Sequence, residues 1–229
     1  MSDFVVSSYT PALSFLAQSL KPDSASSGDL NFLVVGQPPS DGALRLPGVV
    51  AELEYIKAVI QDSPSRITLI EPSIGTVEEV VTLMKEADWV HFACLAVQDK
   101  RSPADIGLLL ADGRRLKLSD IIALSRPRGG LAFLSALETA RGDEDLPDEA
   151  IHLAAGMLFA GYGGAIATMW SINDKLAPVV AKDVYEQLFR NSTRSDRREA
   201  ARALQGAVGR LRDRGASFRE WVPFIHIGL

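Results

Sequence analysis

The sequence predicts an α/β protein, a three-layer α/β/α sandwich on a mostly parallel central sheet. Two observations carry that expectation. Short apolar runs alternate with helical patterns, and most of those runs lack in-and-out alternation, as strands covered on both faces do. Strand, helix and strand in succession then call for parallel pairing through right-handed crossovers. The 229 residues, 47% hydrophobic and 23% charged, can bury a sizeable core. No Ser/Gly/Pro-rich linker divides them, so a single domain over residues 1–229 is expected.

Taken in order, the apolar runs 31–36 (NFLVVG), 66–70 (RITLI), 88–94 (DWVHFAC), 131–136 (LAFLSA) and 165–170 (AIATMW) read as strands. Between the first two, Val49, Leu53, Ile56 and Ile60 recur at i, i+4, i+7 and i+11, one face of a helix. Val77, Val80, Val81 and Met84 share a second helical face behind a capping box of Thr76 with Glu79. A third helix is expected to begin near Asp148, after Pro147, and to stop at Gly161, which suits a left-handed C-cap. Two more follow the last long strand, one carrying Val180, Val184 and Leu188, the next Ala200, Leu204, Ala207, Val208 and Leu211. GLLLADGRRLKL reads as a hairpin turning at Asp112-Gly113, and the final VPFIHIGL as a further short strand. Ligands of such sandwiches lie beyond the carboxyl ends of the strands, which directs attention to the loops after Gly36, Cys94, Ala136 and Trp170.

Composition excludes several functions. A net charge of −5 argues against a general nucleic-acid binder. The basic residues gathered between Lys182 and Arg219 fall mostly on the polar side of an amphipathic helix and read as a solvated face. No apolar stretch reaches the roughly 18 residues of a membrane span. MSDFVVSSYTPALSF lacks the basic start and long apolar run of a signal peptide, so a cytoplasmic location is expected. One cysteine, Cys94, allows no intramolecular disulfide, and with only His91, His152 and His226 beside it no Cys/His metal site is expected. GQPPSDG lacks the Lys-Ser/Thr of a Walker loop, GYGGA joins a helix to a strand in the reverse of the dinucleotide order, and a Gly-x-Ser-x-Gly elbow is absent. No cofactor is expected. His91 and Cys94 stand three apart on one strand and point to opposite faces, so they cannot pair. Cys94 reads as a buried apolar thiol and His91 as a satisfied core histidine. His152 and His226 read as structural or surface residues, and Ser135, without a nearby base, as a packing or hydrogen-bonding residue.

Three separated stretches carry a resemblance: WVHFACLAVQD, then LAFLSALETARGDEDLPDEAIHLAAGMLFAGYGGAIATMWSIND, and WVPFIHIG, together with the opening SSYTPALSFL. In this order they resemble the CHAT domain, a caspase-like cysteine peptidase module related to separase and gingipain and often found beside tetratricopeptide repeats. The resemblance implies a third strand ending in His-Gly, the histidine a general base. It implies a fourth ending in Ser-Ala-Cys, the cysteine a nucleophile, with backbone amides near both forming an oxyanion pocket. This chain departs at both points. Leu95-Ala96 stands at the His-Gly position and Leu137 at the nucleophile position. Leucine has no titratable atom and no lone pair, so neither proton abstraction nor thiolate attack is possible there. Ala96 adds a Cβ beside the implied oxyanion pocket.

The expectation is therefore a catalytically inactive domain acting as a binding or regulatory module for a peptide or protein partner. The alternative is an inactivated variant of a cysteine endopeptidase that cleaves after a basic residue, and a pure assembly scaffold is a third reading. Natural loss and deliberate inactivation would give the same sequence, and the chain reads as a module excised from a larger protein. MWSIND is similar to a segment in which an aspartate lines the pocket for a basic side chain, which implies Asp174 as the substrate-binding residue. The residues alone leave a second reading open, in which Asn173 or Asp174 N-caps the following helix. Asp99 and Asp105 are further candidates for the same cleft, and DEDLPDEA reads as a solvated acidic loop. Self-association by analogy with caspase relatives would use VPFIHIG as an edge strand.

Overall fold

The computed structural model describes residues 5–12, 30–36, 47–61, 66–70, 75–99, 102–124, 130–135, 137–138, 149–170, 172–190 and 196–228. Among them the chain runs through β1 (Asn31–Gly36), α1 (Pro47–Ile60), β2 (Arg66–Ile70), α2 (Val77–Glu86) and β3 (Trp89–Ala93). It continues with β4 (Leu95–Asp99), β5 (Ser102–Leu109), β6 (Arg115–Lys117), α3 (Leu118–Ala123), β7 (Leu131–Leu134) and β8 (Leu137–Glu138). Then come α4 (Glu149–Phe159), β9 (Gly164–Thr168), α5 (Ala177–Phe189), a 3₁₀ turn (Arg197–Glu199), α6 (Ala200–Asp213), α7 (Phe218–Trp221) and β10 (Phe224–Gly228).

Six strands form the central sheet in the order β10-β9-β7-β3-β1-β2. Pairing is parallel from β2 to β9, and β10 alone joins antiparallel. Successive residues of a strand point to opposite faces, and β1 shows the consequence: Leu33 and Val35 enter one apolar layer, Phe32 and Val34 the other. Val80 and Met84 of α2, Ile121 of α3 and Leu153 and Met157 of α4 fill the first layer. Val49 and Ile56 of α1, Val180 and Val184 of α5 and Leu204 of α6 fill the second. The expected three layers follow. The sheet order reverses at β1, whose neighbours are β2 on one side and β3 on the other, and in sheets of this kind ligands bind beyond the carboxyl ends of the strands at such a reversal.

Local signals explain the element ends. Thr76 Oγ1 accepts from Glu79 N at 3.2 Å at the start of α2. After α4, Gly161 takes φ +105° while Gly161 N and Tyr162 N donate to Leu158 O and Met157 O. At the predicted turn Gly113 has φ +77°, and Asp112 Oδ1 accepts from Arg114 N at 2.9 Å. Among the described residues the basic side chains of the later helices are exposed or half-buried except Arg197, which is buried and donates to Gly163 O at 3.3 Å.

Two departures from the sequence reading bear on the site. The chain does not enter a loop after Cys94. It goes straight into β4, part of a second, four-stranded sheet in the order β6-β5-β4-β8. The strand 131–136 likewise ends at Leu134, and Leu137–Glu138 belongs to that second sheet as β8. Polar VQDKRSPAD gave no periodic apolar signal for β4 and the start of β5, and a two-residue strand is below what pattern can detect. No helix among the described residues is long and apolar enough to cross a membrane.

Candidate functional site

β4 and β8 run parallel, and their register pairs Leu95 with Leu137 and Ala96 with Glu138. The two positions singled out in the sequence, 42 residues apart, are thus direct backbone neighbours. Leu95 and Ala96 are buried, Leu95 in the layer of α1, α5 and α6 and Ala96 in the opposite one. The side chains of Leu137, Asp99 and Asp105 lie outside the described residues, as does most of DEDLPDEA.

Asp174 holds a different helix from the one it precedes. Its Oδ2 accepts from Gly48 N at 2.8 Å, which satisfies a first-turn donor of α1 and places a carboxylate at the positive end of that helix. Gly48 is required there, since Asp174 O and its carboxylate leave no room for a Cβ. Asp174 Oδ1 is buried without a hydrogen-bond partner among the described residues. The helix after it, α5, has Leu176 as N-cap with no side-chain cap bond, while Asn173 Oδ1 accepts from Lys175 N at 3.0 Å in an Asx turn. Neither Asn173 nor Asp174 caps the following helix.

Cys94 and His91 do face opposite ways. Cys94 is fully buried beside Val35 and Phe92, its Sγ 3.6 Å from Val35 O, and burial followed by the charge of Glu52 pushes the thiol far above its usual range. A thiol held protonated is a poor nucleophile. His91 points into the other layer, where Nδ1 is 3.0 Å from the Tyr185 hydroxyl and Nε2 is 3.3 Å from Glu52 Oε1. Ser135 Oγ donates to Glu52 Oε2 at 3.0 Å. Burial and then Glu52 also raise the Tyr185 phenol. His226 is buried with Nδ1 2.7 Å from Ser8 Oγ, and His152 is exposed.

Glu52 escaped the sequence reading although a signal was present. It is three residues after Val49 and four before Ile56, inside the apolar arc of α1, where an acidic residue has no solvent to face. Glu52, His91, Ser135 and Tyr185 are at most 2% exposed. Among the described residues no group of three or more His, Cys, Asp or Glu could hold a metal ion.

A sequence model of the CHAT domain matches residues 2–229. The chain belongs to the CHAT domain family. The central sheet with its two helical layers is the caspase-like fold. Among solved structures, the complex of Porphyromonas gingivalis RgpB pro- and mature domains is similar to this CHAT domain with a TM-score of 0.54 at 8% identity. The match covers 93% of this chain and 51% of that one, so this CHAT domain spans about half the length of that protein. At that identity the likeness speaks for the fold. No curated protein matches the sequence.

Proposed function

We propose that this CHAT domain is a peptidase-fold module without peptidase chemistry, which binds a peptide or protein segment at the carboxyl ends of β1 and β3. The observation that carries the reading is the Leu95–Leu137 register pair: the positions matching the family's base and nucleophile are adjacent, and neither leucine can accept or donate a proton. Cys94 and His91 offer no substitute. The thiol is buried on one face of the sheet, and the imidazole is hydrogen-bonded to Tyr185 beside Glu52 on the other. Asp174 supports a basic side chain as the anchor of the bound segment, because Oδ2 is spent on α1 and Oδ1 is buried with no partner among the described residues, so that a cationic group reaching it supplies the hydrogen bond it lacks.

A second reading has its own support. HFAC, LSA and ETA follow the family pattern around both leucines, as they would in a cysteine endopeptidase, cleaving after a basic residue, that has been inactivated at two points. Calorimetric titration with peptides carrying a single arginine, against the same peptides with glutamine, tests the binding role. Micromolar affinity that falls at least tenfold with glutamine, and loses that preference in Asp174→Asn, is the expected result; equal affinities would end the claim for Asp174. The ancestry is tested by Leu95→His, Ala96→Gly and Leu137→Cys together. The restored protein is expected to form a covalent adduct with an arginyl chloromethyl ketone peptide, and no adduct would reject the assignment of these positions. The chain as it stands is expected to turn over no peptide, and turnover abolished by Cys94→Ser would sink the inactive reading.

A further inference from the structure

One turn of α1 touches segments that lead to Leu95, Leu137 and Asp174. Gly48 N donates to Asp174 Oδ2. Four residues on, on the same side of the helix, Glu52 accepts from Ser135 Oγ through Oε2, and its Oε1 stands 3.3 Å from His91 Nε2, neither atom having a hydrogen-bond partner among the described residues. His91 lies in β3, which runs into Leu95 of β4, and Ser135 lies between β7 and Leu137 of β8. The three positions matched to the family's site, Leu95, Leu137 and Asp174, are each tied within a few residues to the segment 48–52.

Stability alone does not account for this arrangement. A carboxylate withdrawn fully from water is costly, and replacing a buried ion pair by apolar residues of similar volume is often neutral or favourable. Glu52 is 0% exposed in a layer otherwise lined by Val49, Leu53 and Ile56, where a leucine would fit the pattern. Its neighbours come from β3 and from the residue that follows β7, which an apolar side chain would not fix in relative position. Tyr185 and Phe133 close the other sides of the imidazole, at ring-centroid distances of 5.7 and 4.9 Å, and orient it towards the carboxylate.

We infer that Glu52 is the positioning residue of this site: its carboxylate latches α1 to β3 and β7, and so sets where Leu95, Leu137 and Asp174 stand relative to one another. The latch rests on the geometry above. That the positioned residues hold a peptide rests on the proposed function.

The test compares Glu52→Leu and Glu52→Gln with the original chain by amide hydrogen exchange, thermal midpoint and titration with the single-arginine peptide. Glu52→Leu is expected to keep or raise the midpoint while amides of residues 95–97 and 48–50 exchange at least tenfold faster and those of 165–168 in β9 are unchanged. Peptide affinity is expected to fall at least tenfold. Glu52→Gln keeps an acceptor for Ser135 and is expected to restore at least half of the lost protection. Uniformly faster exchange with a lower midpoint would reduce Glu52 to an ordinary core residue, and unchanged exchange at 95–97 would remove the latch; either result overturns the inference. If Glu52→Leu does not fold, Glu52→Gln bears the comparison, with exchange faster only at 48–50 and 95–97 supporting the latch and any other pattern overturning it. An original chain that binds no peptide yet shows the localised exchange change strikes the proposed function and leaves the latch standing.

Discussion

His226 shows how one side chain in this fold makes stability depend on pH. Ser8 Oγ donates to Gly228 O at 2.6 Å, so it accepts from His226 Nδ1, and Nε2 is left buried without a hydrogen-bond partner among the described residues. Burial first, and then the positive charge of Arg197, lower its pKa from 6.5 to about 4. Between those values the unfolded chain binds a proton that the folded chain does not, so this residue's contribution is complete above pH 6.5 and is lost as the pH falls towards 4. The full difference corresponds to about 3 kcal/mol. Urea unfolding of His226→Asn, which keeps a donor for Ser8, is expected to show a free-energy gap to the original chain that is constant above pH 7 and shifts in the variant's favour by about 2–3 kcal/mol by pH 4. A gap that does not move with pH would contradict the assignment. The residue scale is also where sequence was least informative. Leu95 and Leu137 could be singled out because a motif surrounds each of them, while their pairing is a fact of the tertiary structure. Glu52, Tyr185 and Ser135 form a group only through tertiary contacts between α1, α5 and the end of β7, and no spacing in the chain announces it.

Elements were legible wherever a side-chain period or a turn residue marked them. The β5–β6 hairpin is the clearest case, because Asp112-Gly113 supplies both the side-chain acceptor and the left-handed residue the turn needs. The hairpin is also tied to α2, since the Arg114 guanidinium donates to both oxygens of Glu78 and to Asp112. That pairing, chiefly the Arg114 hydrogen bond, draws Glu78 down to about 2. A Cβ at Gly113 would meet no atom within 4 Å, so the cost of a substitution there is purely conformational. Gly113→Ala is expected to destabilise by about 1–2 kcal/mol and Gly113→Asn by less, measured by urea unfolding. Equal stability of all three would show that the turn readily changes conformation. By contrast β4 and β8 were missed. Their pairing is two residues long and their sequences are polar or mixed, so what holds them is the neighbouring strand and not their own pattern.

At the scale of the whole molecule, alternation of strand and helix was enough to predict the three layers and the parallel sheet, because crossover geometry leaves few other solutions. The antiparallel last strand and what covers it are long-range facts. β10 is an edge, and an exposed edge is a template for pairing with another chain. Here the chain's own start lies along it: Tyr9 bridges Ile227 in parallel, with Tyr9 N donating to His226 O at 2.9 Å and Gly228 N to Tyr9 O at 2.8 Å. Gln205 Nε2 donates to Val5 O at 3.0 Å, and Val5 and Tyr9 help to line a cavity of about 230 Å³ with Leu204, Val208 and Trp221. Removing residues 1–10 takes away these partners and uncovers both the edge and the apolar wall at once. The shortened chain is expected to shift to higher mass in sedimentation velocity at tens of micromolar, relative to the full chain at the same concentration. A synthetic peptide of residues 1–12 is expected to reverse the shift by reoccupying the edge. An unchanged mass distribution would show that β10 does not need its cover; a shift that the peptide fails to reverse would place the new contact elsewhere on the molecule.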